Sequence, residues 1–209
     1  MDSKIKNYSI GDAKVTEYYD KNIIVIEDVI TDDFCRELIE FILSNECHSN
    51  KIKFEKYNNV ECYYLNLEDL KKKKDSNNNL PFIEIDKKIF LIMGKIINIL
   101  HSVIYAFKGT EDCGYGLRKI YGGTRLHVDS ITVPTTLNYV RCMSVIINLN
   151  DDYDGGIFHF PKQDFHIKLK KGSAIAFPPY WTHPHETSSV NEGQFRYTIN
   201  TWLLQKLEK

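Results

Sequence analysis

The sequence has no long run of apolar residues and no excess of charge of one sign. No stretch approaches the roughly eighteen apolar residues of a membrane-spanning helix, and the N-terminal MDSKIKNYSI lacks the apolar centre of a signal peptide. The 27 basic and 28 acidic side chains give a formal net charge of -1, so no strong field attracts a nucleic acid or a cationic partner. We therefore expect a cytoplasmic protein that binds neither nucleic acid nor membrane.

The cysteines lack a pairing pattern. There are five of them, an odd number, and no two have the Cys-x-x-Cys spacing: Cys35, Cys47, Cys62, Cys113 and Cys142. This usage is typical of reduced thiols in an intracellular compartment and not of a disulfide scaffold. Because free cysteine is among the most buried residue types, each is expected to be a buried structural side chain.

The second half of the chain consists of short apolar runs separated by Gly, Pro and Asp. These runs predict eight strands, near 115–121, 125–129, 140–149, 156–160, 165–169, 174–178, 183–188 and 194–204. Eight short strands with polar punctuation are typical of a double-stranded β-helix, the jelly-roll architecture of cupins. We predict a mainly β fold with flanking helices (α+β), in which N-terminal helices pack on the outer sheet.

The first half is predicted to support that β-rich core. NIIVIEDVI indicates a strand, and TDDFCRELIEFILSN a helix with Thr31 as its N-cap. A longer helix is expected from Pro81, with a buried stripe of Phe82, Ile85, Ile89, Ile92, Ile96, Leu100 and Val103. Residues 48–80, rich in Lys, Asn and Asp, are predicted to be a solvated loop. The expected organisation is a single domain over 1–209, with 1–110 as N-terminal helical support and strand, and 111–209 as the catalytic β-helix core.

Two histidines and an aspartate in the second half have the composition of a metal site. His127 and Asp129 lie two apart in RLHVDS, so on a strand both side chains point to one face. A lone His-x-Asp is a weak signal, because it often arises by chance. A third ligand is available in WTHPHET, where either His183 or His185 could face the metal. Two imidazoles and one carboxylate on one face of a metal are the ligand set of non-haem Fe(II) oxygenases.

Arg196 follows these histidines on a segment with strict alternation. One face of the segment carries Phe195, Tyr197, Ile199, Thr201 and Leu203, and the other carries Arg196, Thr198, Asn200 and Trp202. A buried arginine is costly unless an anion pairs with it, and a dicarboxylate offers a bidentate partner. We therefore predict that Arg196 anchors an acidic cosubstrate behind the metal.

Several stretches resemble the 2-oxoglutarate and Fe(II)-dependent dioxygenases, and within them the prolyl 4-hydroxylase group. The stretches are KIYGGTRLHVDS, RCMSVIINLND, YDGGIFHF, and WTHPHET followed by GQFRYTINTW, and they occur in the family's order. The resemblance extends from about Ile23 to the C-terminus and is weak over the first hundred residues. It implies Fe(II), 2-oxoglutarate and dioxygen as cofactors, with ascorbate as a further candidate.

Carried over residue by residue, the resemblance makes His127, Asp129 and His185 the iron ligands. His185 is preferred to His183 because the family's ligand lies in a Pro-His-Glu context. Arg196 becomes the partner of the distal carboxylate of 2-oxoglutarate.

The same resemblance also concerns the cosubstrate pocket. Tyr121 matches a tyrosine that lines this pocket in the family, and Trp202 matches an aromatic residue on the strand of the arginine. One position departs from the family, because Asn148 stands where the oxygen-sensing prolyl hydroxylases have a tyrosine that helps to hold the distal carboxylate. An amide can also donate a hydrogen bond, but it is shorter. Ser144 and Thr198, which share the inward phase, are candidates to compensate.

The resemblance implies a 2-oxoglutarate-dependent hydroxylase that acts on peptidyl proline and releases succinate and carbon dioxide. The expected partner is then a proline-containing peptide or protein, and a small molecule is the alternative substrate. Two other readings stay open. One is the same chemistry on a free amino acid or small metabolite. The other, from a different class, is a non-catalytic cupin-like metal-binding module or a zinc site with three protein ligands and a water.

Overall fold

The computed structural model describes residues 4–46, 50–53, 61–67, 80–130 and 138–207. Its strands, in chain order, are β1 (Ile5–Ile10), β2 (Ala13–Tyr18), β3 (Ile23–Glu27), β4 (Asn50–Lys53), β5 (Glu61–Asn66), β6 (Glu111–Asp112), β7 (Gly116–Tyr121), β8 (Thr124–His127), β9 (Tyr139–Asn148), β10 (Phe158–Phe160), β11 (Phe165–Ile167), β12 (Ala174–Phe177), β13 (His185–Thr187) and β14 (Arg196–Lys206). The helices are α1 (Asp32–Ser44), α2 (Leu80–Val103) and a short 3-10 helix, Tyr19–Lys21.

The described strands form two antiparallel sheets that face each other. The major sheet has ten strands, in the order β1-β2-β3-β12-β9-β14-β7-β5-β4 with β6 paired to β14, and the minor sheet has the order β11-β10-β13-β8. Several neighbours in both sheets come from distant parts of the chain, such as β3 with β12 and β8 with β13, as a jelly roll requires. The predicted jelly-roll architecture is confirmed.

The two faces of the major sheet bury different side chains. Helices α1 and α2 pack on the outer face, where Leu38 and Ile89 join Val145, Ile147 and Ile199 in the larger apolar core. A smaller apolar cluster fills part of the space between the sheets, and it includes Ile146, Phe158, Phe160 and Phe177. The polar inner residues of β9 and β14 therefore line the remaining space between the sheets.

The sequence-based predictions for the second half agree with the observed strands, since each of the eight predicted runs overlaps one, and the two-residue strand β6 was not predicted. In the first half, Thr31 caps α1 as predicted, because its hydroxyl accepts from the backbone N–H of Phe34 at 3.3 Å. The stripe of α2 differs from the prediction. Met93 and Ile99 are buried, whereas Ile92 and Val103 are only partly buried, so the contacting face is rotated slightly about the helix axis.

The prediction of one strand and two helices in the first half was incomplete. This half contributes the hairpin β1-β2 to one edge of the major sheet, and β4 and β5 to the other. Residues 50–53 and 61–66 were predicted to be loop, because Lys and Asn dominate their surroundings, but β5 pairs with β7 and β4 pairs with β5, so both segments belong to the sheet. The lysine run at 71–74 lies outside the described residues. No described helix combines the length and the apolar character needed to cross a lipid bilayer.

The structure describes the side chains of three of the five cysteines, and these differ in burial. Cys35 is buried, Cys142 is half-buried and Cys113 is exposed, so the expectation of a buried side chain was wrong for Cys113. Burial raises the pKa of Cys35 and of Cys142 to about 11. At pH 8 only roughly one in a thousand of these thiols is then ionised, and the thiolate is the reactive form.

We therefore expect iodoacetamide at pH 8 to label Cys113 while Cys35 and Cys142 stay unmodified until the protein is unfolded. Peptide mapping by mass spectrometry separates these three sites from Cys47 and Cys62. Labelling of Cys35 in the folded protein at the rate of Cys113 would contradict the packing of α1.

Candidate active site

Three predicted ligands meet at the paired ends of two strands of the minor sheet. His127 is the last residue of β8, His185 is the first residue of β13, and antiparallel pairing places the two directly opposite each other. Their ring centres are 4.4 Å apart. Asp129 follows two residues after His127, and one ligand atom from each of the three residues lies within 4.8 Å of the others. Of the described residues, these three alone form such a group.

The backbone orients both imidazoles. Nδ1 of His127 lies 2.7 Å from the carbonyl of Arg125, and Nδ1 of His185 lies 3.1 Å from the carbonyl of His183. Because a carbonyl only accepts, each Nδ1 must carry the proton and donate it. In the neutral form of each ring the lone pair is then on Nε2. The two Nε2 atoms face the Asp129 carboxylate, at 3.4 Å from Oδ1 for His127 and 3.8 Å from Oδ2 for His185.

The protonation states of Asp129 and His185 suit a cationic metal. Burial alone would raise the pKa of Asp129, but the hydrogen bond with His127, the charge of His185 and the Ser144 hydroxyl together hold it well below its usual range. Burial lowers the pKa of His185 to about 4. Burial also lowers the pKa of His127, but contacts with Asp129 and with the Arg125 carbonyl outweigh it, so the net shift is upward. A carboxylate and a neutral His185 are therefore present at neutral pH.

Asp129 is itself held by two residues of β9. The hydroxyl of Ser144, which is fully buried, donates to Asp129 Oδ2 at 2.7 Å. Nη1 of Arg141 donates to the Asp129 main-chain oxygen at 2.9 Å, and its guanidinium lies 3.8 Å from the centre of the Trp202 ring. Arg141 was not singled out from the sequence, because a lone arginine near the start of a strand is typical of a solvated charge.

Ser144→Ala should weaken metal binding roughly tenfold, since loss of a hydrogen bond to a ligand commonly costs 10- to 100-fold in affinity. Titration of the apoprotein with Fe(II) under anaerobic conditions measures this. Ser144→Thr keeps the hydroxyl and should bind like the wild type. Equal affinities for Ser144→Ala and the wild type would mean that Asp129 needs no such support.

Arg196 lies on the inner face of the major sheet. It is the first residue of β14, opposite Ile120, and only 3% of its surface is exposed. Its Nη1 donates to the Gly156 carbonyl at 3.2 Å, and its guanidinium lies over the Phe158 ring at 5.0 Å. Tyr197, Ile199 and Leu203 point the other way, into the helix-facing core. Arg196 is thus a buried cation between the two sheets.

Thr198, Trp202, Asn148 and Tyr121 complete the set predicted for the cosubstrate pocket. Thr198 and Trp202 alternate with the core residues and share the face of Arg196, with Thr198 paired to Asn148 and Trp202 to Ser144. Asn148 does face inward, but Nδ2 donates to the carbonyls of Asn150 at 2.5 Å and Leu169 at 3.1 Å. Both amide hydrogens are therefore used by the main chain.

Tyr121 lies on the other side of the sheet. It follows Ile120, which faces the same way as Arg196, so strand alternation turns Tyr121 outward. Its ring centre is 6.0 Å from that of Phe195, which packs against the helix-facing core. The structure thus separates Tyr121 from the inner residues with which the sequence grouped it.

His183 has a different environment from His185, although both are only 2% exposed. Its Nε2 lies 2.8 Å from the carbonyl of Lys21, and its Nδ1 lies 2.9 Å from the Thr182 hydroxyl. The ring therefore donates to the N-terminal segment and accepts from its neighbour. His183 links the loop before β13 to the segment before β3, and it lies outside the ligand cluster.

The donor set fits Fe(II). Two imidazole nitrogens and one carboxylate oxygen converge from one side, and this facial set leaves further positions for exogenous ligands. The buried guanidinium of Arg196 in the same inter-sheet space fits a second, anionic ligand.

A sequence profile of the 2OG-Fe(II) oxygenase superfamily matches residues 116–204. This range contains the three clustered residues and Arg196. Members of that superfamily use Fe(II), 2-oxoglutarate and dioxygen. No curated protein matches the sequence of the chain.

Solved structures with the same fold include several prolyl hydroxylases. The viral collagen prolyl hydroxylase of Paramecium bursaria Chlorella virus 1, in a 2-oxoglutarate complex, is 19% identical over 90% of this chain and 97% of its own, with a TM-score of 0.61. The Trichoplax adhaerens prolyl hydroxylase, bound to a peptide of the hypoxia inducible factor, is 13% identical over 88% and 84%, with a TM-score of 0.62. The Pseudomonas putida prolyl-4-hydroxylase is 14% identical over 90% and 94%, with a TM-score of 0.55. At these identities the likeness shows a shared fold.

Proposed function

We propose that the protein is a prolyl hydroxylase that acts on peptidyl proline and releases succinate and carbon dioxide. The match of residues 116–204 to the 2OG-Fe(II) oxygenase superfamily supports the reaction type. The observation that carries the proposal is the convergence of His127, Asp129 and His185 in the same inter-sheet space as the buried Arg196.

In this proposal His127 and His185 bind Fe(II) through Nε2, and Asp129 binds it through a carboxylate oxygen. The Arg125 and His183 carbonyls keep both rings in the tautomer that presents Nε2. Ser144 restrains Asp129 Oδ2. Bound Fe(II), with 2-oxoglutarate and dioxygen, supplies the oxidising power needed to hydroxylate an unactivated C–H bond.

Arg196 takes the distal carboxylate of 2-oxoglutarate. Its planar fork matches a carboxylate in a bidentate manner, and its burial excludes the water that would weaken the pair. Anchoring that end fixes which way the 2-oxo group faces. A zinc hydrolase has no corresponding need for a cation behind its metal.

The surroundings of the ligands support a peptide substrate. Leu126 and Val128 flank His127 along the chain and are 51% and 38% exposed, and Trp181 in the loop before His185 is 73% exposed. A hydrogen bond of 2.7 Å from the Ser130 N–H to the Pro179 carbonyl joins these two segments. Exposed apolar side chains grouped around a site are typical of a surface that binds a protein or peptide.

The decisive experiment measures succinate released from 2-oxoglutarate by the Fe(II)-loaded protein. Incubations contain no substrate, proline-bearing peptides, or free amino acids. Stimulation by peptides with proline, and not by the same peptides with alanine, is the expected result. Stimulation by free amino acids alone would assign the chemistry to a small substrate. The absence of any succinate under all conditions, with Fe(II) bound, would leave a non-catalytic metal-binding module.

A further inference from the structure

Tyr153 is a buried tyrosine beside Arg196 that the proposed reaction does not yet use. It lies in the loop between β9 and β10, and 3% of its surface is exposed. Burial raises the pKa of the phenol, and the nearby positive charge of Arg196 offsets part of this effect. The net pKa is raised. The hydroxyl therefore keeps its proton at neutral pH and can act as a donor.

Gly156 brings Tyr153 and Arg196 together. A Cβ added to Gly156 would lie 2.6 Å from Cε2 of the Tyr153 ring and 3.4 Å from Cδ of Arg196. The residue also has φ +63°, a conformation that other residues rarely adopt. Its carbonyl accepts the Arg196 hydrogen bond. The tyrosine ring and the arginine side chain can thus both pack on one residue because it has no side chain.

The Tyr153 hydroxyl points to the inner face of the major sheet. It donates to Oδ1 of Asn148 at 3.1 Å, and Asn148 is paired with Thr198, two residues from Arg196 on the same face of β14. Asn148 cannot turn its own donors inward, since both amide hydrogens go to main-chain carbonyls. The phenol thus supplies a rotatable proton at this position, whereas the hydroxyl of Thr198 donates to Oδ1 of Asn200 at 2.7 Å.

We infer that Tyr153 shares with Arg196 the binding of the distal carboxylate of a dicarboxylic 2-oxo acid. The inference rests on the proposed function and assigns a further binding residue to its cosubstrate. A carboxylate is a stronger acceptor than an amide oxygen, so it draws the phenol proton away from Asn148 by rotation about the C–O bond. In the absence of ligand, the hydrogen bond to Asn148 holds the phenol in position. No proton is gained or lost.

The test compares the affinity of two ligands for three proteins. Under anaerobic conditions the Fe(II)-loaded wild type, Tyr153→Phe and Tyr197→Phe are titrated with 2-oxoglutarate, and binding is followed by the visible absorption band and by calorimetry. The second ligand is 2-oxopentanoate, in which a methyl group replaces the distal carboxylate. Tyr197 is the matched control because it is buried on the opposite, helix-facing side of β14.

Tyr153→Phe should weaken 2-oxoglutarate binding roughly tenfold, equivalent to about 1.4 kcal/mol, and leave 2-oxopentanoate binding unchanged. Tyr197→Phe should change neither. An equal loss for both ligands, or no loss for 2-oxoglutarate, would overturn the inference while the wild type still binds the cosubstrate. A wild type that binds Fe(II) but not 2-oxoglutarate would instead overturn the proposed function, and this inference with it.

Discussion

His185→Ala should abolish Fe(II)-dependent release of succinate, and His183→Ala should not. The two histidines are equally buried and only two residues apart, but only His185 joins the ligand cluster. Its neutral ring presents Nε2 toward Asp129. Removing one of three protein ligands should leave the metal too weakly held for turnover.

His183→Ala serves as the matched control, because it removes an equally buried imidazole. This change leaves the Lys21 carbonyl without its donor, which typically costs about 1 to 3 kcal/mol of stability. The variant should therefore unfold at a lower temperature and keep its turnover when folded. Succinate release and thermal unfolding, measured on both variants, separate the two roles. Equal losses of activity, or a more active His185→Ala, would mean that the wrong histidine has been assigned to the metal.

Arg196→Ala should raise the concentration of 2-oxoglutarate needed for half-maximal turnover by at least roughly thirtyfold. Truncating one partner of a buried charge pair commonly costs about 2 to 5 kcal/mol, and each 1.4 kcal/mol is about tenfold. The guanidinium lies over the Phe158 ring and is held at the Gly156 carbonyl, so the charge has a defined place between the sheets.

Arg196→Lys is a graded control for this prediction. Lysine keeps the charge but lacks the planar fork. The 2-oxoglutarate concentration that this variant needs for half-maximal turnover should therefore fall between those of the wild type and Arg196→Ala. Fe(II) affinity, measured separately, should be the same in all three proteins, because Arg196 belongs to the other sheet. An unchanged cosubstrate requirement in Arg196→Ala would point to a different anchor.

Local sequence patterns were sufficient for most of the core. The alternation from Gln194 to Leu204 predicted which residues of β14 face inward, and the register with β9 agrees with it. Turn residues marked the limits of the eight strands of the second half, because the preference of Gly, Pro and Asp for turns is a local property of each residue. The capping by Thr31 was also predictable, because it involves atoms only three residues apart.

Patterns were insufficient where a contact joins distant segments. The segments 50–53 and 61–66 lie in a region with the composition of a solvated loop, and only the pairing of β5 with β7 and of β4 with β5 makes them strands. Tyr121 was grouped with the pocket because it matches a family tyrosine, but the register of β7 with β14 turns it outward. Tyr153 gave no signal, since a tyrosine in an acidic loop is usually a surface residue. Its role depends on Gly156, Asn148 and Arg196 being brought together.

The sequence by itself determined the chemical types available to the site, namely two imidazoles, a carboxylate and a guanidinium, and the faces of the strands that carry them. Side-chain direction on a strand follows from a period of two residues, so it can be predicted locally. The family resemblance already favoured His185 over His183, but only the tertiary structure gives the physical difference between them, because both lie on the same short segment and differ in what a distant part of the chain places beside them. The Lys21 carbonyl accepts a hydrogen bond from the His183 ring, whereas the Asp129 carboxylate faces the His185 ring.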